Sequence, residues 1–200
     1  DYVGDVFTKV EMFDDGLHGD GAANDDVFGA EILIDIYDVQ YYIYAENDDA
    51  GIFSPVRAEH EFYDLVLGSD VVINEVMSNN NSTQADQNGE FDDWVELYNN
   101  TSTAVDLSGY FLSDDDQELN KWEIPSGTSI DANSYLIIWL DNDTLQSGLH
   151  ANFKISSSGE GLYFSNASEN IINAVELPLL ESSSTYGRYP NGTGSFITMW

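Results

Sequence analysis

Asp92-Asp93-Trp94-Val95-Glu96-Leu97-Tyr98-Asn99 is the stretch on which the reading of the fold turns. Trp94, Glu96 and Tyr98 alternate with Val95 and Leu97, the period of two that a strand imposes on its two faces. The run Gln87-Asn88-Gly89-Glu90 leads into it and Asn99-Asn100-Thr101 leads out, both rich in turn formers. Val71-Val72-Ile73-Asn74-Glu75-Val76 lies upstream and Val105-Asp106-Leu107-Ser108-Gly109-Tyr110-Phe111-Leu112 downstream. Three strands parted by polar turns, with a large aromatic among them, predict the start of a β-sandwich core.

The pattern continues toward the C-terminus. Trp122-Glu123-Ile124-Pro125, Ser134 to Leu140, Phe153-Lys154-Ile155-Ser156, Gly161-Leu162-Tyr163-Phe164 and Ile171 to Glu176 read as further short strands. No stretch carries a 3.6-residue period, and no solenoid or propeller repeat is present. Toward the N-terminus, strands are expected over 6–13, 28–36, 39–45 and 60–67, with Pro55 before the last, where a missing N–H does least harm. Four strands are too few for a sandwich, which needs about seven. Residues 1–68 are therefore expected to be part of an immunoglobulin-like or fibronectin-like module, and 69–200 a complete domain. Gly68-Ser69-Asp70 is the short joint between them. The chain opens in what reads as mid-domain, as a piece of something longer would. Bare edges in the first block are expected to be covered by the second block or by a second copy of the chain, a homodimer.

Five basic residues face 37 acidic ones, a formal charge of −32. That excess repels polyanions, so nucleic acid and anionic membrane surfaces are not expected partners. Divalent cations, or salty surroundings that screen the charge, suit it better. Most of these acids are read as a solvated surface. With no cysteine there is no disulfide, thiol catalysis or thiolate metal site. No apolar run reaches the ~20 residues of a membrane span. Asn81, Asn100, Asn142, Asn166 and Asn191 head N-x-[ST] sequons, a pattern that recurs by chance in so asparagine-rich a chain.

The second block resembles a known family. Ile73-Asn74-Glu75, Asp92 to Asn99, and Asp106-Leu107-Ser108-Gly109-Tyr110-Phe111-Leu112-Ser113-Asp114 come first. Lys121-Trp122-Glu123-Ile124-Pro125, Gly148 to Ser156, Ser158-Gly159-Glu160 and Tyr186-Gly187-Arg188-Tyr189-Pro190 follow in order. Over residues 71–190 these are similar to the lamin-tail domain in its bacterial, extracellular form. The resemblance implies an immunoglobulin-like β-sandwich and no activity, since the bacterial members are accessory modules on secreted or surface proteins, often beside hydrolases or nucleases. Nuclear lamin function is not implied, because the coiled-coil rod is absent and the charge is wrong for DNA.

Physical chemistry gives those residues structural work. Trp94, Trp122 and Trp139 suit a core or its edge. Arg188 is expected to form a bidentate pair with Glu96 or Asp93. Gly109, Gly159 and Gly187 are expected at bends or bulges. Glu75 and Glu96 admit an acid/base reading in the manner of a glycosidase, which carries little weight in so acidic a chain. The three histidines, His18, His60 and His150, are scattered and suggest no metal cluster.

One loop stands apart. Asp14-Asp15-Gly16-Leu17-His18-Gly19-Asp20-Gly21-Ala22-Ala23-Asn24-Asp25-Asp26 puts Asp14, Asp20, Asn24, Asp25 and Asp26 on a glycine-rich backbone, a candidate oxygen shell for calcium. The spacing is not that of an EF-hand. It resembles an Asp/Gly loop of immunoglobulin-like modules in secreted bacterial proteins, with Asp26 where that loop has glycine and Phe28 where it has tyrosine. The alternative is a hairpin loop held by Asx turns without metal.

The sequence thus predicts an all-β chain: a partial immunoglobulin-like segment, then a lamin-tail sandwich. The expected function is a non-catalytic module of a secreted or cell-surface bacterial protein, serving adhesion, a protein or polysaccharide ligand, or spacing. The alternative is an accessory domain of a secreted enzyme (hydrolase, nuclease or spore-coat-H-like) whose catalytic domain lies elsewhere.

Overall fold

The structure, a computed structural model, describes residues 7–58 and 60–200. Among the described residues every regular element is a β-strand. The chain divides into two compact units. One holds residues up to Asp35 and Val39–Tyr63; the other holds Ile36–Asp38 and Asp64–Trp200.

The first unit contains β1 (Val39–Tyr41), β2 (Ile43–Glu46) and β3 (Gly51–Ser54), and ends as β4 (Tyr63–Leu65) begins. β2 and β3 form a hairpin in register from Ile43↔Ser54 to Glu46↔Gly51. Asn47 closes its turn, its Oδ1 accepting from the amides of Asp49 and Ala50 at 2.9 Å. Rings supply the remaining cohesion: Phe7 lies 5.1 Å from Tyr42 and 4.9 Å from Phe62, and Tyr44 lies 4.7 Å from Phe53. The strands expected over 6–13 and 28–36 reduce, among the described residues, to one bridge between Phe13 and Gly29; Val6 lies outside those residues. That expected over 60–67 shortens to 63–65. Alternation alone does not make a strand where no neighbouring ladder receives its N–H and C=O groups.

The second unit is a sandwich. Its strands are β5 (Val71–Met77), β6 (Trp94–Asn99), β7 (Val105–Asp106), β8 (Phe111–Ser113), β9 (Trp122–Glu123), β10 (Ser129–Ile130), β11 (Tyr135–Leu140) and β12 (His150–Ala151). β13 (Gly161–Ser165), β14 (Ile171–Glu176), β15 (Thr185–Tyr189) and β16 (Ser195–Met199) complete it. One sheet runs β12-β11-β6-β5-β15-β16, the other β14-β13-β8-β9, with β7 and β10 pairing beside them. Residues 153–156, expected as a strand, contribute only a bridge from Lys154 to Asp141.

Ile73, Val76, Val95, Leu97, Ile138 and Leu140 of the first sheet meet Leu112, Trp122, Leu162, Phe164 and Val175 of the second. The alternation read in 94–99 therefore places Val95 and Leu97 inward. Its other face is not bare: Trp94 and Trp139 are directly paired and pack with Met77 into a second small apolar cluster.

Candidate functional site

β5 carries a bulge that organises the polar interior. Ile73 pairs with Leu97 and Glu75 with Glu96, leaving Asn74 as the extra residue. The backbone groups freed beside it are answered by side chains. Asn173 Oδ1 accepts from the Ile73 amide at 2.9 Å, and Arg188 Nε donates to the Ile73 carbonyl at 3.0 Å. Asn74 donates from Nδ2 to Glu96 at 2.8 Å and accepts from the Gly192 amide at 2.8 Å.

Arg188 does not pair with Glu96 or Asp93. The register sets Gly187 opposite Glu75, and Glu75 opposite Glu96, on the outer face of the sheet. Arg188 is one residue on and points inward. There it is wholly buried, stacked 4.3 Å over Phe196, and donates from one terminal nitrogen to Asp38 at 2.8 Å and to the Gly194 carbonyl at 2.9 Å. Its other terminal nitrogen has no hydrogen-bond partner among the described residues. Asp38 also accepts from the Leu67 amide. Beside it the Tyr37 hydroxyl donates to Glu176 at 2.9 Å and lies within hydrogen-bond distance of the Tyr163 hydroxyl at 3.1 Å; burial, reinforced by these two neighbours, raises its pKa. Tyr37 and Asp38, set within the first unit's stretch of sequence, thus fasten to the sandwich.

Gly187 serves neither a bend nor a bulge. It sits mid-strand, where a Cβ would lie 2.5 Å from Met199 Cε and 2.9 Å from Glu75 Cγ. Gly109 and Gly159 do adopt positive φ, as bends require.

Glu75 and Glu96 are adjacent on the outer sheet face and partly buried. Burial raises the Glu96 pKa, with Asn74 acting to lower it and Glu75 to raise it. Asp93 is likewise raised by burial and accepts from the Asn80 amide at 3.0 Å.

In the first unit, the Asp/Gly loop is stitched by its own carboxylates. Asp14 accepts from the amides of Asp25 and Asp26, Asp25 from those of Ala22 and Val27, and Asp20 from those of Asp15 and Gly16. The Gly16 amide foremost holds the Asp20 carboxyl below its usual pKa. Asn24 and Asp26 take positive φ. Asp20 is buried and its Oδ1 has no hydrogen-bond partner among the described residues. Asp15, outside the expected ligand set, pairs with His18 at 2.9 Å, which lowers the Asp15 pKa and raises that of His18. No three carboxylates of this loop come within 4.8 Å of one another among the described residues.

That convergence occurs in the second unit, where the sequence reads Glu90 as turn and Asp92 as the start of a strand and marks neither as a site. The Asp86 amide donates to the Glu90 carbonyl at 2.9 Å, and Asp86 Oδ1 accepts from the amides of Asn88 and Glu90 at 2.9 and 2.8 Å. This closed loop brings one carboxylate oxygen each of Asp86, Glu90 and Asp92 within 4.8 Å of one another. Burial raises the Asp92 pKa, followed by the charges of Asp141, Glu90 and Asp86. Gln146 reaches in from another loop, donating to Glu90 at 2.6 Å and Asp143 at 2.8 Å, and also meets Asn88. Alongside, buried His150 pairs through Nδ1 with buried Asp141 at 2.6 Å and through Nε2 with Gln87 at 2.8 Å. A shallow polar hollow bounded by Asn80, Asp92, Asp93, Asp141 and Lys154 adjoins them. The signal in the sequence is only a pair of aspartates flanking Gly89 and Glu90, lost among so many acids.

Two packed β-sheets with a polar tie between them define an immunoglobulin-like sandwich module. The family model of the lamin tail domain matches residues 67–178, more than half of the chain, and the chain belongs to that family. The comparison with curated proteins gives no match.

Proposed function

We propose that this chain is a non-catalytic module of a secreted or cell-surface bacterial protein, working in adhesion, in holding a protein or polysaccharide ligand, or as a spacer. The observation that carries the reading is how the conspicuous polar residues are spent. Arg188, Asn74 and Asn173 satisfy the β5 bulge, and Asn173 ties one sheet to the other. His150 and Asp141 are buried against each other. Among the side chains that face solvent are aromatics and amides. Tyr98 and Tyr135 are cross-strand neighbours with rings 4.8 Å apart, and Asn191 donates to the Tyr135 hydroxyl at 2.8 Å. Half-exposed tyrosine faces beside amides suit stacking on sugar rings.

The test is binding of the full chain to arrayed polysaccharides, alongside Tyr135→Ala. Retained binding by the native chain, lost in the variant without a change in melting temperature, supports the reading. Turnover of a glycan or nucleic acid that Glu96→Gln abolishes overturns it.

Within this role the first unit offers two further features. Its Asp14, Asp20, Asn24, Asp25 and Asp26 loop is a candidate calcium ligand set, favoured by the unpartnered Asp20 Oδ1. Its exposed apolar side chains, among them Leu33, Ile52 and Val56, suit pairing with a second copy of the chain. Light scattering at two concentrations tests that dimer: a mass that doubles on concentration supports it, and a constant monomer mass removes it.

A further inference from the structure

We propose that Asp86, Glu90 and Asp92 form a binding site for a hard divalent cation of the calcium class in the loop that enters β6. The site is separate from the Asp/Gly loop of the first unit and does not depend on it.

Two independent observations point there. The first is convergence: an oxygen from each of the three carboxylates lies within 4.8 Å of the others. The second is an orphaned acceptor. Asp86 is more than nine-tenths buried, its Oδ1 is occupied by two amides, and its Oδ2 is enclosed with no hydrogen-bond partner among the described residues. An enclosed carboxylate oxygen without a donor is costly, and native structures rarely leave one so. A cation resolves both features at once, screening three like charges and giving Oδ2 its partner.

The donor set selects the class of ion. It is all oxygen, with no thiolate, and the nearby imidazole of His150 is engaged by Asp141 and Gln87. Carboxylates on a turn, with side-chain amides close by, match calcium, which takes six to eight oxygens at ~2.3–2.6 Å and tolerates uneven geometry. Water, with the Asn88 side-chain oxygen, can complete the shell. Arg57, Lys121 and Arg188 are engaged elsewhere, with Glu61, Asp114 and Asp38, while Lys154 lines the adjoining hollow with Asp92 and offsets part of the negative charge there. Because Gln146 already joins Glu90 to Asp143, an ion here would also fix the loop before β6 to the loop after β11.

The test is isothermal titration of the full chain with calcium chloride at constant ionic strength, with thermal melts in calcium and in chelator. The native chain is expected to bind calcium and to melt higher with it than with sodium at equal ionic strength. Asp92→Asn and Glu90→Gln leave the Asp86 turn intact and are expected to weaken this binding by about tenfold or more. Circular dichroism confirms that they remain folded. Asp86→Asn keeps one oxygen for the turn amides and is expected to behave alike. Asp20→Asn, in the other loop, is expected to leave this event unchanged, so the two calcium readings fail separately. Isotherms for Asp92→Asn and Glu90→Gln that match the native chain overturn the proposal, as does a native chain whose calcium response equals that of sodium.

Discussion

The two units are built from similar strand-forming sequence and reach opposite ends of the burial scale. In the second, Ile73, Val95, Leu97, Leu112, Ile138 and Phe164 are fully enclosed. In the first, Ala58 is the one buried apolar side chain among the described residues, and Leu33 is 96% exposed. Aromatic and β-branched composition is shared; long-range pairing is not. Two sheets placed face to face turn alternation into a core, whereas short hairpins leave the same alternation lying against solvent. Apolar content therefore measures the capacity for a core, and sheet partners decide whether one forms.

The sharpest way to break this contrast is to truncate one apolar side chain in each unit. Leu97→Ala is expected to cost about 3–4 kcal/mol in urea unfolding followed by tryptophan fluorescence. Leu33→Ala is expected to change stability by less than about 0.5 kcal/mol. Equal losses at the two sites would erase the distinction drawn above.

Next in size is the buried ion pair. Asp38→Ala leaves the Arg188 guanidinium enclosed without its carboxylate and is expected to cost about 3 kcal/mol, seen as a lower urea midpoint. Combining it with Arg188→Met is expected to recover much of that loss, since the uncompensated charge leaves as well. Gly187→Ala places a methyl against Met199 and Glu75 and is expected to cost about 2 kcal/mol in the same assay.

The smallest effect is electrostatic. The folded state raises the Glu96 pKa, so it favours the protonated carboxyl. Stability from this group is present at low pH and falls as pH rises through the folded-state pKa. Glu96→Gln, which can still accept from Asn74, is expected to melt slightly higher than the native chain at pH 7. The difference should vanish below about pH 4, where the native carboxyl is protonated in folded and unfolded chains alike. A variant that melts lower at pH 7 would show Glu96 to be better stabilised as an anion than its burial implies.

Much of the sandwich is legible in its sequence, because β5, β6, β11, β13 and β14 are runs of β-branched and aromatic residues flanked by turn residues, whereas the two-residue β10 carries no pattern of its own. The partner of Arg188 is not. It lies at Asp38, far upstream, and which face Arg188 takes depends on how β15 registers against a β5 that contains a bulge. The bulge at Asn74 shows in the sequence only as two successive polar residues, Asn74 and Glu75, between the inward Ile73 and Val76. Strands expected over 6–13 and 28–36 have the right residues and lack ladders to join. The meeting of Asp86, Glu90 and Asp92 follows from a loop closure, and in a chain this acidic spacing alone does not distinguish it.

The attachment of Tyr37 and Asp38 has a practical corollary for anyone cutting or shuffling the gene. A fragment begun at residue 67, where the family match starts, would discard the counter-ion of its own buried cation and the hydroxyl that Glu176 receives. The working boundary of the sandwich is thus discontinuous, and the two stretches of chain are not interchangeable cassettes. A recombinant that keeps residues 36–38 in place preserves the tie; one that swaps the preceding segment must supply an acid at the same point.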